Sequence, residues 1–415
     1  MTSEMSTAYV WVWLPGETEP VVAGRLDKSG RATGFTYGRS YLDRANAIAL
    51  YLPELPLSPG WIDPAPPHEI ASCIADAGPD SWGQRLVMRR LLGTAGDGAD
   101  LGNISTLTYL LESGSDRIGA VDFQLSPTEY IPRSGGGRLE ELVGAADRVL
   151  RGEAFSPELD IALTHGSSIG GARPKALLDD GDRKLIAKLS APTDPYPVVK
   201  AEAVAMRLAE RCSIHVAHTE VVECLGHDVL LVERFDRPPA IHGGVARRLM
   251  VSALTVLGLT DWQGRHATYP DFADVIRARF TDPTATLREL FTRVVFNVCI
   301  GNTDDHAKNH AAFWDGAELT LTPAYDLCPG ARNVGEVTHA MALTRDGDRR
   351  SRLSTCRSAA AAFHVEPAAA DEIIERVTSA IRDHWDDVAG EARLTADDRA
   401  MLWGHQFLNP SIFYD

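Results

Sequence analysis

The sequence has 415 residues, of which 44% are hydrophobic and 7% aromatic. This length and composition are typical of a globular protein with two or three domains, and they exclude a disordered chain. The formal net charge of −16 argues against unaided binding to nucleic acid, because such binding requires a basic surface. We therefore expect any association with DNA to come through a basic partner.

The cysteines and the hydropathy pattern indicate a soluble cytoplasmic protein. The six cysteines are widely spaced and form no C-x-x-C pair, and no hydrophobic signal segment opens the sequence. Reduced thiols are the simplest interpretation of this pattern. No uncharged apolar stretch of the sequence approaches the roughly 18 residues that span a bilayer.

The first part of the sequence predicts a small β-rich subdomain over residues 1–125. The runs AYVWVWL and PVVAGRLDKSGRATGFTYG alternate in the manner of short strands and are interrupted by glycine and proline. DSWGQRLVMRRLLG predicts a helix capped by Asp80 or Ser81, and DRIGAVDFQL predicts a further strand. Residues 126–138 are rich in proline, glycine and serine, so we expect the domain boundary there.

The middle of the sequence, residues 126–238, predicts strands with one helix. GSSIGGARPKALLDDGDRKLIAKLS indicates two strands around a glycine-containing loop, with a hairpin turn at LDDGDRKLI. VVKAEAVAMRLAERC consists of helix formers and predicts a helix. TEVVECLGHDVLLVERFDR has the pattern of a β-hairpin that ends in charged residues.

The last part, residues 239–415, predicts a mostly helical domain. TLRELFTRVVFNVCIG carries apolar residues at the i, i+3, i+4, i+7 spacing of a helix that is buried on one face. Gly301 is well placed to end this helix. DEIIERVTSAIRDHW repeats the helical period and predicts a second long helix.

The polar stretch GNTDDHAKNH, residues 301–310, follows the first of these helices and is the main candidate for chemistry. His306 and His310 are four residues apart and could bind zinc on a helix. However, Ala307 stands where the metalloprotease motif H-E-x-x-H has its general-base glutamate. A zinc site is therefore the weaker alternative.

The spacing of the same stretch favours phosphoryl transfer. Asp304 and Asn309 have the D-x-x-x-x-N spacing of kinase catalytic loops, where the Asp orients the acceptor hydroxyl and the Asn holds Mg²⁺. Lys308 would then lie beside the transferred phosphoryl group. The stretch AELTLTPAYD predicts a strand that ends in Asp326, which is placed like the second metal carboxylate of kinases. Two such oxygen ligands together with phosphate oxygens suit Mg²⁺.

Two features further upstream agree with this layout. Lys188 is a lone lysine in an apolar strand and could pair with nucleotide phosphates, with Glu202 as its ion-pair partner; the alternative is a strand-edge lysine that reaches solvent. Gly170 and Gly171 allow close approach of a phosphate and Lys175 adds charge, although a plain hairpin turn would also explain the glycines. Hydrolase chemistry has less support, because the sequence contains no G-x-S-x-G elbow and no recognisable cysteine nucleophile.

These motifs resemble, in order and spacing, those of the HipA-type serine/threonine kinases, the toxins of HipA/HipB-like toxin–antitoxin systems. The segments that carry the resemblance are SSIGGARPKALL, IAKLS, LLVERFDR, GNTDDHAKNHA and LTPAYDLCPG. DSWGQRLVMRRL and DRIGAVDF are similar to the HipA N-terminal subdomain. The resemblance implies an α+β, protein-kinase-like two-lobed fold with an added β-rich N-terminal subdomain and a mostly helical C-terminal lobe.

The resemblance also implies roles for particular residues, with ATP and Mg²⁺ as cofactors. Asp304 would be the proton acceptor, Asn309 and Asp326 would hold Mg²⁺, and Lys188 would contact the ATP phosphates. The residues implied to lie around the adenine or to line the nucleotide site are Glu233, Arg234, Phe235, His306, Lys308 and Tyr325.

One serine is implied to be a site of autophosphorylation. Ser168 aligns with the loop serine whose modification pulls the loop out of the phosphate site and silences the enzyme, although adjacent Ser167 leaves this assignment open by one position. Arg173 departs from many relatives, which carry glutamine there. The effect of this extra charge on the loop is left open.

The resemblance implies a growth-arresting toxin linked to persistence. Its protein substrate would be an aminoacyl-tRNA synthetase or another translation component. Its partner would be a HipB-like helix-turn-helix antitoxin, so that DNA is reached only indirectly. Two alternatives stay open: a kinase-shaped corepressor that acts mainly as a binding module in an antitoxin–DNA complex, and a small-molecule or lipid kinase.

Overall fold

The structure is a computed structural model that describes residues 5–93, 104–133, 137–151, 168, 173–181, 183–191, 193–241, 243–330 and 337–415. The chain divides into two compact units that interleave along the sequence. The first unit consists of Met1–Leu189, Glu223–Val251 and Phe313–Ala317. The second unit consists of Ser190–Val222, Ser252–Ala312 and Glu318–Asp415. The three-part division at residues 125/126 and 238/239 stays a prediction.

The secondary structure alternates between short strands and helices, and the longest helices lie in the second unit. The strands are β1 (Thr7–Val12), β2 (Val21–Ser29), β3 (Ala32–Tyr37), β4 (Trp61–Ile62), β5 (Val121–Gln124), β6 (Lys175–Asp180), β7 (Arg183–Leu189), β8 (Thr219–Cys224), β9 (His227–Glu233), β10 (Leu249–Ser252), β11 (Ala311–Trp314) and β12 (Leu319–Leu321). The α-helices are α1 (Arg39–Leu42), α2 (Ser72–Ala75), α3 (Ser81–Leu92), α4 (Thr106–Glu112), α5 (Leu139–Leu150), α6 (Val198–Arg211), α7 (Ala253–Val256), α8 (Tyr269–Arg279), α9 (Pro283–Ile300), α10 (Leu353–Ala359), α11 (Pro367–Glu391) and α12 (Ala396–Leu402). The 3₁₀ turns are Gln263–His266, Ala307–Asn309, Ala360–Phe363 and Pro410–Phe413.

A five-stranded sheet forms the start of the first unit. Its strand order is β4-β3-β2-β1-β5, and its strand pairs are antiparallel. Leu26, Phe35 and Phe123 are fully buried in its core, as alternation of apolar and polar residues along strands requires. The predicted β-rich start is therefore confirmed. The predicted helix is α3, with Asp80 at the N-cap position but without a capping hydrogen bond from its side chain.

A β-hairpin and a third strand follow in the same unit. β6 and β7 pair antiparallel and are joined at Gly181, whose φ of +63° a glycine adopts without strain. β7 in turn pairs antiparallel with β9. These pairings confirm the hairpin predicted at LDDGDRKLI, and β8 and β9 confirm the two strands predicted in TEVVECLGHDVLLVERFDR.

The second unit is built around α9, which packs against α8 and α11. Asp282 caps α9 by accepting a hydrogen bond from the Ala285 N–H at 3.0 Å, and Pro283 occupies the first helical position, where its missing N–H costs nothing. The predicted apolar face is buried, namely Leu287, Leu290, Phe291, Val294, Val295 and Val298. The helix ends at Ile300 before Gly301, as predicted.

The other predicted helices are also present. α6 matches the helix predicted in VVKAEAVAMRLAERC, and α11 contains the one predicted in DEIIERVTSAIRDHW. Ile374, Val377 and Ile381 lie on the buried face of α11, and α6 packs against this helix. Within the described ranges, no helix is both long enough and apolar enough to cross a membrane.

Candidate active site

The backbone of the loop that follows α9 is hydrogen-bonded to other residues of the second unit at several points. Gly301 has φ +68°, the left-handed conformation that ends many helices. The Asn302 N–H donates to the carbonyl oxygen of Asn297 at 2.9 Å, and the Ala340 N–H donates to that of Thr303 at 2.8 Å. The loop therefore has a defined backbone path immediately after a buried helix.

Gly301 is expected to be needed for this path. A Cβ atom at this position would lie 3.0 Å from the carbonyl oxygen of Gln406, and φ is positive. We expect Gly301→Ala to lower the free energy of unfolding by about 1–2 kcal/mol, as measured by urea denaturation. Gly347→Ala is the matched control for positive φ, since nothing lies near its Cβ position. An equal loss in both variants would contradict a specific role of the contact with Gln406.

Side chains of the loop alternate between the surface and the interior. Asp304 and His306 are exposed, whereas Asp305 and Ala307 are buried. His310 is also buried, so the two histidines that could have formed a zinc site do not share one surface. Among the residues that the structure describes, no group of three or more His, Cys, Asp or Glu side chains could hold a metal ion.

Asn309 lies close to Asp304. The 3₁₀ turn places the Asn309 N–H 2.8 Å from the carbonyl oxygen of His306, and the side-chain Nδ2 lies 3.5 Å from the backbone oxygen of Asp304. This arrangement directs the amide nitrogen towards the loop backbone and leaves the amide oxygen as the group that a metal ion would use. The two residues with kinase-like spacing are thus neighbours in the structure.

The segment that contains Asp326 runs alongside this loop. The Tyr325 hydroxyl donates to the carbonyl oxygen of Lys308 at 2.7 Å, and the Gly330 N–H donates to that of Gly301 at 2.9 Å. Asp326 has φ +58°, a conformation that few residues other than glycine adopt, although Asp and Asn tolerate it best. Backbone strain of this kind concentrates at functional sites.

The strand before Asp326 is shorter than predicted. The sequence predicted a strand that ends in Asp326, but β12 ends at Leu321. Pro323 has no N–H with which to continue a ladder, and Ala324 forms only an isolated bridge to Val216. Asp326 therefore lies in irregular backbone.

Lys308 forms an ion pair that the sequence did not reveal. Its Nζ lies 2.7 Å from Oδ1 of Asp261, an exposed residue that follows α7. Exposed ion pairs contribute roughly 0–1 kcal/mol to stability, so this pair adds little to the stability of the fold. No signal in the sequence links these residues, because they are separated by 47 positions.

A buried polar network lies behind the loop and is centred on Asp305, which is 1% exposed. Its Oδ2 accepts hydrogen bonds from the Tyr269 hydroxyl, from Asn297 Nδ2 at 2.7 Å and from His310 Nε2 at 2.8 Å. Burial alone would raise the pKa of Asp305, but the charge of His310 and the hydrogen bonds from His310 and Tyr269 hold it below its usual range. Burial and then the charge of Asp305 raise the pKa of Tyr269.

The remaining predicted nucleotide residues lie in the first unit. Lys175 on β6 and Lys188 on β7 are directly opposite each other in the strand register. Like charges opposite each other destabilise a strand pair, and both side chains make further interactions within the protein. The predicted pairing of Lys188 with Glu202 stays a prediction.

Arg234 forms ion pairs in a buried cluster of charged side chains. Glu233 ends β9 and Phe235 follows in the chain, both half-buried. The buried Arg234 guanidinium lies 2.8 Å from Asp236 Oδ2 and 3.0 Å from Asp116 Oδ1. Its side chain is thus committed to the protein, so any adenine contact at this position would come from the backbone.

Ser168 is 1% exposed, and its hydroxyl donates to the carbonyl oxygen of Asp116 at 3.0 Å. Ser167, Gly170 and Gly171, which were predicted beside it, lie outside the described residues. Arg173 is described but has no assigned role.

The architecture is α+β and of the protein-kinase-like class, as predicted. A chain of the solved complex of the toxin–antitoxin system HipA, HipB and its operator DNA from Shewanella oneidensis MR-1 is similar to this one with a TM-score of 0.66 and 20% identity. The similarity covers 94% of this chain and 93% of that chain. At this level of identity it shows the fold.

Family models identify the chain more specifically. The model for the HipA-like C-terminal domain matches residues 167–385, and that for the HipA N-terminal domain matches residues 12–124. The chain belongs to the HipA family. The predicted resemblance is therefore confirmed.

Two curated relatives agree with this assignment. Y4mE of Sinorhizobium fredii, named as a candidate kinase, is 28% identical over 317 residues, which cover 71% of each chain. The serine/threonine-protein kinase toxin HipA of Shewanella oneidensis is 30% identical over 148 residues, 32% of this chain and 34% of that protein. Together these similarities support a kinase toxin of the HipA type.

Proposed function

We propose that the protein is an ATP-dependent serine/threonine protein kinase that acts as a growth-arresting toxin. The observation that carries the proposal is the exposed Asp304 beside Asn309, in a loop that is hydrogen-bonded through Tyr325 to the segment of Asp326. Such a loop supplies a carboxylate for the acceptor hydroxyl and two oxygen ligands for a metal ion. A purely structural loop would require neither.

The proposed mechanism relies on positioning and electrostatics. Asp304 accepts a hydrogen bond from the acceptor hydroxyl and then its proton, which aligns the oxygen for attack on the γ-phosphorus of ATP. As the new oxygen–phosphorus bond forms, the bond between the γ-phosphorus and the β–γ bridging oxygen breaks, and ADP leaves with the electron pair of that bond. Lys308 leaves Asp261 and pairs with the γ-phosphate, where its charge offsets that of the transition state. Lys175 and Lys188 contact the other phosphates.

The residues fit Mg²⁺ because the donor set consists of one carboxylate and one amide oxygen. Asn309 and Asp326 would hold the ion, and phosphate oxygens and water would complete its coordination. When bound, Mg²⁺ neutralises phosphate charge during transfer. His306 and Tyr325 would line the same nucleotide site, and the backbone of Glu233, Arg234 and Phe235 would lie near the adenine.

The substrate, the partner and the site of autophosphorylation are proposed from the family resemblance. We propose that the substrate is an aminoacyl-tRNA synthetase or another translation component, and that a HipB-like antitoxin binds the protein and brings it to DNA. The acidic net charge of −16 supports a basic partner at the DNA. We also propose that autophosphorylation of Ser168 inactivates the enzyme. Because Ser168 is buried, its hydroxyl must become exposed before it can be modified.

ATP binding that depends on Mg²⁺ is the first test. We expect calorimetry to show that EDTA, or Asp326→Asn, weakens ATP binding by at least about tenfold, since either change removes charge that neutralises phosphate. Asparagine keeps the size of Asp326 and tolerates its positive φ, so the fold should persist. The control is Asp386→Asn, which removes an exposed carboxylate on α11.

Two results would contradict the proposal in different ways. ATP binding that is indifferent to Mg²⁺ would exclude the metal site formed by Asn309 and Asp326. A complete lack of ATP binding by the folded protein would favour the binding module that acts only with an antitoxin.

A further inference from the structure

We propose that Asp305 is a positioning residue for phosphoryl transfer, acting through its neighbour Asp304. This inference rests on the proposed kinase function, in which Asp304 orients the acceptor hydroxyl. Asp305 itself is buried and cannot touch substrate. Its role would be to fix the loop backbone so that Asp304 keeps one orientation at the surface.

The first argument is the geometry around the Asp305 carboxylate. A single oxygen, Oδ2, receives three hydrogen bonds from three separate parts of the second unit. Tyr269 begins α8, Asn297 lies in the last turn of α9, and His310 follows the 3₁₀ turn. Asp305 therefore joins two helices to the end of the catalytic loop.

The second argument is the chemistry of the donors. A carboxylate accepts several hydrogen bonds at once, and bonds to a charged acceptor are stronger than those to a neutral one. An asparagine in place of Asp305 would offer one weaker oxygen and would bring an NH₂ group close to the same donors. A buried donor that loses its partner costs about 1–3 kcal/mol, and a change of loop conformation is one way to avoid that cost.

The third argument is the direct connection to the site. Asn302 Nδ2 donates to Asn297 Oδ1 at 3.1 Å, and Asn297 donates to Asp305. The loop is thus held at positions 302 and 305 by one side chain of α9, with Asp304 between them. Because consecutive side chains here point to opposite sides, rotation of Asp305 out of its pocket would redirect Asp304.

The experiment combines kinetics with amide hydrogen exchange. Asp305→Asn removes the charge, and Tyr269→Phe removes one donor but keeps the carboxylate. Thr378→Val is the matched control, because it deletes a buried hydroxyl on α11 that donates to the carbonyl oxygens of Ile374 and Glu375 in the same helix. For each variant, kcat and the KM for ATP are measured, together with exchange of the amides in residues 301–310.

We expect Asp305→Asn to lower kcat by about 10- to 100-fold, the effect of misplacing a catalytic group by about 1 Å. The KM for ATP should change less than kcat, and exchange should rise in residues 301–310. Tyr269→Phe should show a smaller decrease in kcat, and Thr378→Val should match the wild type in both measurements.

The proposal is overturned if Asp305→Asn keeps the wild-type kcat while folded. It is also overturned if exchange rises uniformly over the second unit, because that result indicates a general loss of stability. If the wild type transfers no phosphate, the proposed function fails. Hydrogen exchange tests the role of Asp305 independently of kinase activity. Unchanged exchange of the amides in residues 301–310 of Asp305→Asn would show that Asp305 does not hold the loop.

Discussion

Asp304→Ala is expected to lower the rate of phosphoryl transfer from ATP by about 10²- to 10⁴-fold, the usual effect of removing a positioned acid–base group. The side chain is exposed, so the free energy of unfolding should change by no more than about 0.5 kcal/mol. Transfer would be measured with radiolabelled ATP, and stability by urea denaturation. ATP binding should persist, because Asp304 acts on the acceptor hydroxyl.

The same variant tests the proposed toxicity in cells. Phosphoproteomics after induced expression of the wild type should reveal phosphorylation of a translation component and of Ser168. Both signals and the growth arrest should be absent with Asp304→Ala, whereas Asp386→Asn should behave like the wild type. Unchanged phosphorylation with Asp304→Ala would exclude Asp304 as the proton acceptor. Phosphorylation of Ser167 in place of Ser168 would shift that assignment by one position.

The sequence predicted those parts of the fold that depend on local periodicity. α9 and α11 were predicted because one face of each is apolar at helical spacing, and burial of that face fixes the helix whatever lies opposite. The β6–β7 hairpin was predicted because Gly181 marks a short turn between two alternating runs. The spacing of Asp304 and Asn309 could also be recognised from the sequence, because both residues belong to one short loop.

Contacts between distant residues had no local signature. The partner of Asp305 on α8, Tyr269, stands 36 positions earlier in the chain, and one sequence gives no sign that these residues meet. Asp305 was therefore left without a role, although its carboxylate accepts three buried hydrogen bonds. The backbone of Asp326 was also missed, because a positive φ at a residue other than glycine depends on its surroundings.

Arg234 illustrates a different limit. Its place in LLVERFDR suggested a position near the adenine, but the guanidinium lies in a buried cluster with Asp116, Asp236 and Arg237. A motif shows that a residue matters without showing whether it acts through its side chain or supports the backbone. In this cluster, support is the physically simpler role.

Asp236→Ala is expected to have the largest effect on stability. The carboxylate is 2% exposed and lies 2.8 Å from Arg234 Nη2, from Arg237 Nη1 and from the Gly119 N–H. Among the residues that the structure describes, its removal would leave Asp116 as the carboxylate that is paired with these two buried guanidinium groups. Breaking a buried ion pair in this way costs about 3–5 kcal/mol, which urea denaturation should show as a lower midpoint.

The control is Asp180→Ala, which breaks the exposed ion pair with Arg183 in the same unit. Exposed pairs contribute roughly 0–1 kcal/mol, so this variant should remain close to the wild type. If Asp236→Ala were no more destabilising than Asp180→Ala, the buried cluster would not stabilise the first unit.

The contribution of Asp236 to the free energy of unfolding should change with pH in a definite direction. Burial would raise the pKa of Asp236, but Arg234 and then Arg237 hold it below its usual range in the folded protein. In the unfolded chain the pKa is about 3.9, so the unfolded state binds a proton first as the pH falls. The stability that Asp236 contributes is therefore fully present above about pH 4 and is lost as the pH falls towards the folded pKa. The difference in unfolding free energy between wild type and Asp236→Ala should be constant near neutral pH and should shrink below about pH 4. If this difference became larger in acid, Asp236 would not be ionised in the folded state.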